Sequence, residues 1–221
     1  MKQKKYFNEV HECYDTRYFK SKQTNIDKSI ILKKILIEFT QLMDEYSVKV
    51  IITHGTLMGW VFNKKILPWD KDVDVCVFYK DLVKMNEIVY NNDSYILDIN
   101  PNFIYNDTKN KSYNDNNETN KIDARFICKN TGMYIDITAL RCYKNKLLFT
   151  KCPHIYKLND ICPLKRDTFE DCKIYVPNKY IHLLIMEYGN QFIKQKTNKI
   201  PYNSYIFTND NWHVIHSSDS L

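Results

Sequence analysis

At 221 residues the chain is long enough for one domain that buries its own core without covalent or metal staples. It is 44% hydrophobic and 26% charged, and no run of about 18 apolar residues offers a membrane-spanning helix. The net charge of +6 comes from scattered lysines rather than a basic stripe, which argues against a nucleic-acid partner. The start, Met1 to Phe7, is basic but has neither an apolar h-region nor a small-residue cleavage site, so no secretion signal is expected from it.

Residues 1–26 are polar and irregular, and read as an N-terminal extension. Over 27–46 apolar residues recur at Ile31, Ile35, Leu42 and Met43, with Ile30, Leu32, Leu36 and Phe39 beside them, which predicts a long amphipathic helix. Residues 48–53 read as a short strand running into His54-Gly55-Thr56-Leu57-Met58-Gly59-Trp60. After Pro68, alternating β-branched residues predict a strand over 73–79, and Asp81 is placed to cap a helix over 82–90. Another strand is expected over 95–99. Residues 106–121 are low in complexity and lack apolar side chains to bury, so they read as an exposed insertion, with N-x-S/T triplets at Asn106, Asn110 and Asn117. Strands over 123–129 and 133–140 join through an Asn130-Thr131-Gly132 turn, and 147–149 extends the sheet. Pro153, Pro163 and Pro177 punctuate a loop-rich stretch before a helix over 179–188 that Gly189 ends. Residues 191–221 read as a C-terminal extension without assigned elements.

Seven cysteines form no C-x-x-C pair, so unpaired thiols are expected rather than a zinc site, although Cys152, His154 and Cys162 lie close in sequence. Only four glycines (Gly55, Gly59, Gly132 and Gly189) occur, so each is expected to mark a backbone position that other residues do not serve, and with the two alanines (Ala124 and Ala139) all fall inside the segments singled out below.

Three carboxylates stand where a plain core does not place them. Asp72 and Asp74 flank Val73 and point to one face of a strand, and Asp136 lies between Ile135 and Ile137 in another. An acid in an apolar strand must be paired, hydrogen-bonded or metal-bound to offset its desolvation. If adjacent strands bring the three together, they form an oxygen-lined site for a hard cation such as Mg²⁺ or Mn²⁺. Upstream, Gly55 and Thr56 open a helix in a loop suited to phosphate. Trp60 and Trp69 are candidates for stacking on a base or sugar, with a core role the commoner outcome.

The stretch 54–60 followed by Leu67-Pro68-Trp69-Asp70-Lys71-Asp72-Val73-Asp74-Val75 resembles the signature of the LicD family. That family includes bacterial phosphocholine transferases, fukutin-type proteins and fungal mannosylphosphorylation proteins. Further matches follow in order: Asp123-Ala124-Arg125-Phe126-Ile127, residues 131–138, Cys162-Pro163-Leu164-Lys165-Arg166 with Thr168-Phe169-Glu170, Val176-Pro177-Asn178, and Glu187-Tyr188-Gly189. They are most similar to the fungal branch and cover roughly residues 30–190. Lys71 replaces an acid common in relatives, Asp171 stands where glycine is common, and the 106–121 insertion is peculiar to this chain.

The resemblance implies an α+β nucleotidyltransferase fold, a mixed sheet with flanking helices, over 27–190. It also implies a phosphotransferase acting between a nucleotide-diphosphate donor and a glycan or glycolipid acceptor. In that reading Asp72, Asp74 and Asp136 bind Mg²⁺ or Mn²⁺, with Asp136 also orienting or deprotonating the acceptor hydroxyl. Gly55, Thr56, Arg125, Lys165 and Arg166 would contact substrate. Relatives place the activity in the secretory pathway (Golgi), with the cytoplasm as the alternative. Two other readings remain: a catalytically weak regulator of glycan mannosylphosphorylation, and a nucleotidyltransferase acting on nucleotides or RNA tails, against which the Pro-Trp-Asp context counts.

Overall fold

The computed structural model describes residues 14–15, 17–18, 27–100, 122–143, 146–150, 154–191, 197–200 and 203–215. The elements are, in order, α1 (Lys28–Glu45), β1 (Ile51–Ile52), α2 (His54–Asn63), β2 (Val73–Phe78), α3 (Tyr79–Met85), β3 (Tyr95–Ile99), β4 (Ala124–Cys128) and β5 (Tyr134–Tyr143). They continue with β6 (Leu147–Phe149), β7 (Ile155–Lys157), α4 (Leu158–Ile161), β8 (Lys165–Phe169), β9 (Cys172–Val176) and α5 (Tyr180–Tyr188). A last group is β10 (Thr197–Ile200), β11 (Asn203–Thr208) and β12 (Asn211–Ile215).

Alternation along the strands builds the main sheet, ordered β3-β4-β5-β2-β1-β9-β8, with β6 and β7 continuing from β5. The β2–β5 and β1–β9 pairs are parallel and the others antiparallel. This is the expected mixed sheet of an α+β fold. Val73, Val75, Val77, Ile135, Ile137 and Ala139 all enter the main core, so the residues between them face the other way. The covering layer is α1. Asp27 caps it by accepting the Ser29 N–H at 2.9 Å, and Leu32, Ile35, Leu36, Phe39, Leu42 and Met43 are buried at helical spacing. On the opposite face a smaller cluster joins Ile51, Cys76 and Leu140 to Tyr156, Ile161 and Leu183 from the β7–α4 region and α5.

Several elements differ from expectation. The strand expected over 48–53 shrinks to Ile51–Ile52, because Thr53 already serves as the N-cap of α2. Asp81 does not cap a helix. Instead α3 begins two residues earlier, holds Asp81 in its first turn 3.5 Å from Lys84, and stops at Met85. The stretch expected to be loop-rich contains the β8–β9 hairpin. Its two-residue turn, Glu170-Asp171, has φ of 49° and 66°, the primed geometry that matches strand twist. Asp171 therefore occupies a left-handed position that glycine serves more cheaply, and Lys33 pairs with it at 2.8 Å. Asn209-Asp210 repeats that turn between β11 and β12. The 106–121 insertion lies outside the described residues.

Two polar anchors meet at Asp123. Asn100 donates its backbone N–H to Asp123 O at 2.9 Å and its side-chain amide to Ile122 O at 2.9 Å. Arg141 and Asp123, both buried, close a two-point ion pair at 2.9 and 2.6 Å, and Asp123 also accepts the Ala139 N–H. Among the described residues no helix is long and apolar enough to cross a membrane.

Helix α2 packs so tightly on the following loop that a Cβ at Gly59 would lie 2.4 Å from the Lys65 carbonyl oxygen. Backbone cannot yield cheaply there. Gly59→Ala is expected to destabilise the fold by about 1–3 kcal/mol, the usual scale of overpacking, as read by urea unfolding. An unchanged midpoint would show that the loop gives way freely.

Candidate active site

The sheet face turned away from α1 carries a row of charge. At fixed register Asp98 of β3 opposes Arg125 of β4, Arg125 opposes Asp136 of β5, and Asp136 opposes Asp74 of β2. Residues so paired share a face and lie close enough to interact. The sequence of charges is minus, plus, minus, minus. The final like-charged contact is unfavourable, and Asp72, two residues before Asp74, adds to it. One oxygen from each of Asp72, Asp74 and Asp136 lies within 4.8 Å of the others. The structure thus gathers the three acids that the sequence singles out.

The electrostatic result is visible in their acidities. Burial, then the charges of Asp74 and Asp136, push Asp72 up to about 7, although Arg125 opposes this. Burial pushes Asp74 up to about 6, with His54 opposing and Asp136 and Glu187 adding to the rise. Asp70, on the loop before them, is raised well above the usual carboxylate range by burial and by Asp74 and Asp72. These are hard oxygen donors with too little positive charge among them, a set that fits a hard divalent cation such as Mg²⁺ or Mn²⁺.

Arg125 is only 2% exposed. Its Nε donates to Asp136 Oδ1 at 2.5 Å and its guanidinium lies 3.7 Å from the Tyr134 ring centre. Expected to contact substrate, it is turned into the protein, where it braces Asp136.

On the other side, Thr53 donates its N–H to Asp74 O at 3.2 Å and Thr56 Oγ1 accepts the Asp74 N–H at 2.9 Å. The start of α2 is thereby pinned to β2, the strand that carries Asp74. A Cβ at Gly55 would sit 3.4 Å from both Asp70 carboxylate oxygens, so the glycine lets that acid lie against the helix start. Lys165 and Arg166 stand on edge strand β8, three strands from β2, or about 14 Å at ordinary strand spacing. Both are exposed, and Lys165 lies over the Tyr180 ring at 5.5 Å. The structure does not bring them beside the carboxylates. Trp60 packs edge-on to Tyr180, and Trp69 packs against Tyr205 and Trp212, so both tryptophans are engaged by protein rings.

Two pairings escape sequence reasoning, which offers His54 beside the glycine loop only as a phosphate donor or as a strand end. His54, at φ 51°, pairs through Nδ1 with Glu187 Oε2 at 2.9 Å, and Glu187 Oε1 accepts from Tyr156 Oη at 3.1 Å. Burial disfavours the charged imidazole, but the Glu187 hydrogen bond and the charges of Asp74, Glu187 and Asp72 outweigh it and raise its pKa. The only signal for Glu187 is its place in the Glu-Tyr-Gly motif. Asp15 and Arg17, from the stretch read as irregular, lie against the same charged face, and no periodicity announces them. The described cysteines, Cys76, Cys128, Cys142, Cys162 and Cys172, are all free thiols, and Cys13 and Cys152 lie outside the described residues.

Comparison with known proteins identifies the family to which this fold belongs. The family described as LicD/FKTN/FKRP, nucleotidyltransferase domain, matches residues 47–179, more than half of the chain. Mannosyltransferase regulator 4 of Saccharomyces cerevisiae is 35% identical over 99 residues, covering 40% of this chain and 8% of its own length. Mannosyltransferase regulator 14 of the same yeast is 37% identical over 95 residues, 40% of this chain and 10% of its own length. An uncharacterized protein of Rickettsia prowazekii is 26% identical over 171 residues, 73% of this chain and 55% of its own length. The chain therefore spans a small part of the yeast relatives and about half of the rickettsial one. By the extent of the family match, the chain belongs to the LicD/FKTN/FKRP family through its nucleotidyltransferase domain.

Proposed function

We propose that this domain is a metal-dependent phosphotransferase for glycan modification. It would move a phosphorylated group (sugar phosphate, alditol phosphate or phosphocholine) from a nucleotide-diphosphate donor to a hydroxyl of a glycan or glycolipid. The observation that carries this reading is the convergence of Asp72, Asp74 and Asp136 within 4.8 Å on a face with little compensating charge. The names of the yeast relatives support glycan modification as the setting.

Asp72, Asp74 and Asp136 would hold Mg²⁺ or Mn²⁺, which when bound neutralises diphosphate charge and the charge that develops on the leaving group. Gly55 and Thr56 set the start of α2 beside the cluster, where backbone N–H groups favour an anion. Arg125 holds Asp136 in one orientation, so that acid serves as ligand and orienter rather than as the base. The proton of the attacking hydroxyl goes to His54 in this reading. Glu187 occupies Nδ1, which leaves Nε2 for substrate in the manner of a carboxylate-oriented imidazole base. Lys165 and Arg166 would meet only the distal part of a long acceptor.

A second reading, a catalytically weak regulator built on the same fold, is favoured by the printed names of the yeast relatives. Divalent-dependent donor turnover separates the two.

Asp74→Asn is expected to lower transfer by roughly 10³-fold or more, the scale of losing several kcal/mol of charge stabilisation, without lowering the metal-free Tm. Full activity in that variant, measured as release of nucleoside monophosphate, would sink the assignment. His54→Gln should cost about 10²–10⁴-fold in kcat with little change in donor KM. A pure KM effect would make His54 a binding residue instead.

The raised acidities give a pH signature. With Asp72 near 7 and Asp74 near 6 when folded, against about 4 when unfolded, the metal-free fold binds more protons than the unfolded chain in between. Its stability therefore falls as pH rises through that window. The Tm gain on adding Mn²⁺ should be larger at pH 8 than at pH 5.5, and Asp72→Asn should shrink the difference. Equal gains at both pH values would exclude these acids as the ligands.

A further inference from the structure

We propose that Asp15 and Arg17 are part of the active site, with Asp15, held by Arg17, acting as a positioning residue. Asp15 sets how Arg125 is shared and so keeps the Asp136 carboxylate open to a divalent cation. The proposal rests on the reading that Asp72, Asp74 and Asp136 bind such a cation.

Arg125 is always charged and almost fully enclosed, so it must be matched by carboxylate. Asp136 alone would provide the match by accepting both arms of the guanidinium, the preferred closed geometry of an Arg–Asp pair. The molecule contains that closed form elsewhere: Arg141 grips both oxygens of Asp123 at 2.9 and 2.6 Å. Arg125 does not close. Its Nε meets Asp136 Oδ1 at 2.5 Å, while Nη2 stands 3.4 Å from Oδ2. Its third nitrogen, Nη1, lies 3.9 Å from Asp15 Oδ2. A second carboxylate is drawing the guanidinium, and one oxygen of Asp136 is left only loosely engaged.

Asp15 comes from far outside the strands, yet it is fully buried, and its N–H donates to Gly132 O at 2.6 Å. Arg17 makes that burial tolerable. Its Nε and Nη2 take the two Asp15 oxygens at 2.8 and 2.7 Å, and its Nη1 bonds to Asp98 on β3. Charge alternates along the whole chain of contacts, Asp98–Arg17–Asp15–Arg125–Asp136. The N-terminal segment thus completes the row that the sheet register begins. Partners outside the ligands themselves orient those ligands and so tune metal affinity.

Simple electrostatics and positioning predict opposite signs for one substitution, which makes the test decisive. Mn²⁺ binding to the full chain is titrated by the loss of the free-ion paramagnetic signal, on wild type, Arg17→Gln and Arg17→Lys. Removing a cation near a cation site raises affinity if charge alone matters. If Arg17 positions Asp15, Arg17→Gln weakens Mn²⁺ binding by about tenfold, the lower end of losses seen for outer-shell partners. Arg17→Lys keeps the charge but not the fork, so positioning again predicts weaker binding where electrostatics predicts none. Circular dichroism shows that each variant is folded, and the lysine variant stands in if the glutamine variant is not. Affinity equal to or tighter than wild type in the folded variants would overturn the proposal. Absence of Mn²⁺ binding by the wild type would instead overturn the reading of the carboxylate cluster, and this inference with it.

Discussion

The parallel register of β2 on β5 places two aspartates opposite each other, and the rest of the site follows from that contact. Val73, Val75, Ile135 and Ile137 must face α1 to fill the core, so Asp74 and Asp136 must face away together. A slip of one residue would relieve the repulsion only by turning every valine and isoleucine of those strands out of the core. The hydrophobic effect thus holds two like charges in contact, and the price is met by whatever positive charge the surroundings supply.

That positive charge arrives from two sides with different chemistry. Arg125 is permanent, buried and committed to carboxylates, so it fixes geometry without offering or taking a proton. His54 is conditional. Its charge depends on Glu187, which accepts from both His54 and Tyr156 and is held below its ordinary pKa because those partners outweigh its burial. One flank of the carboxylates is therefore a fixed brace, and the other can change its protonation. Helix α5, which carries Glu187, is thereby tied to the carboxylate cluster as well as to the packing of the second core.

The three acids were legible in the sequence because each sits inside an apolar, period-2 pattern, where a carboxylate stands out against its neighbours. Helix α1 was legible for the same reason at period 3.6, and α5 through the glycine that ends it. The β8–β9 hairpin was not. Its strand Lys-Arg-Asp-Thr-Phe is polar at four of five positions because it lies at the sheet edge, and its turn uses Glu-Asp where Asn-Gly is the recognised signal. The short reach of β1 and the early start of α3 were hidden because backbone groups of Thr53 and Phe78, not side-chain caps, begin the helices that follow. Asp15 carried no local signal. It is an acid in a polar stretch, and only its long-range burial beside Arg125 distinguishes it. Glu187 carried only its place in the Glu-Tyr-Gly motif, and its partner His54 lies 133 residues away.

The Asn100 clamp has a consequence for how this domain tolerates change. By bonding to both Ile122 and Asp123, Asn100 closes the neck between β3 and β4 at the level of the sheet, before the intervening chain begins. Asp123 also pairs with Arg141 of β5 and accepts the Ala139 N–H, so a change at Asn100 reaches β5 through that one buried acid. Substitution at this junction is therefore felt across three strands at once rather than locally.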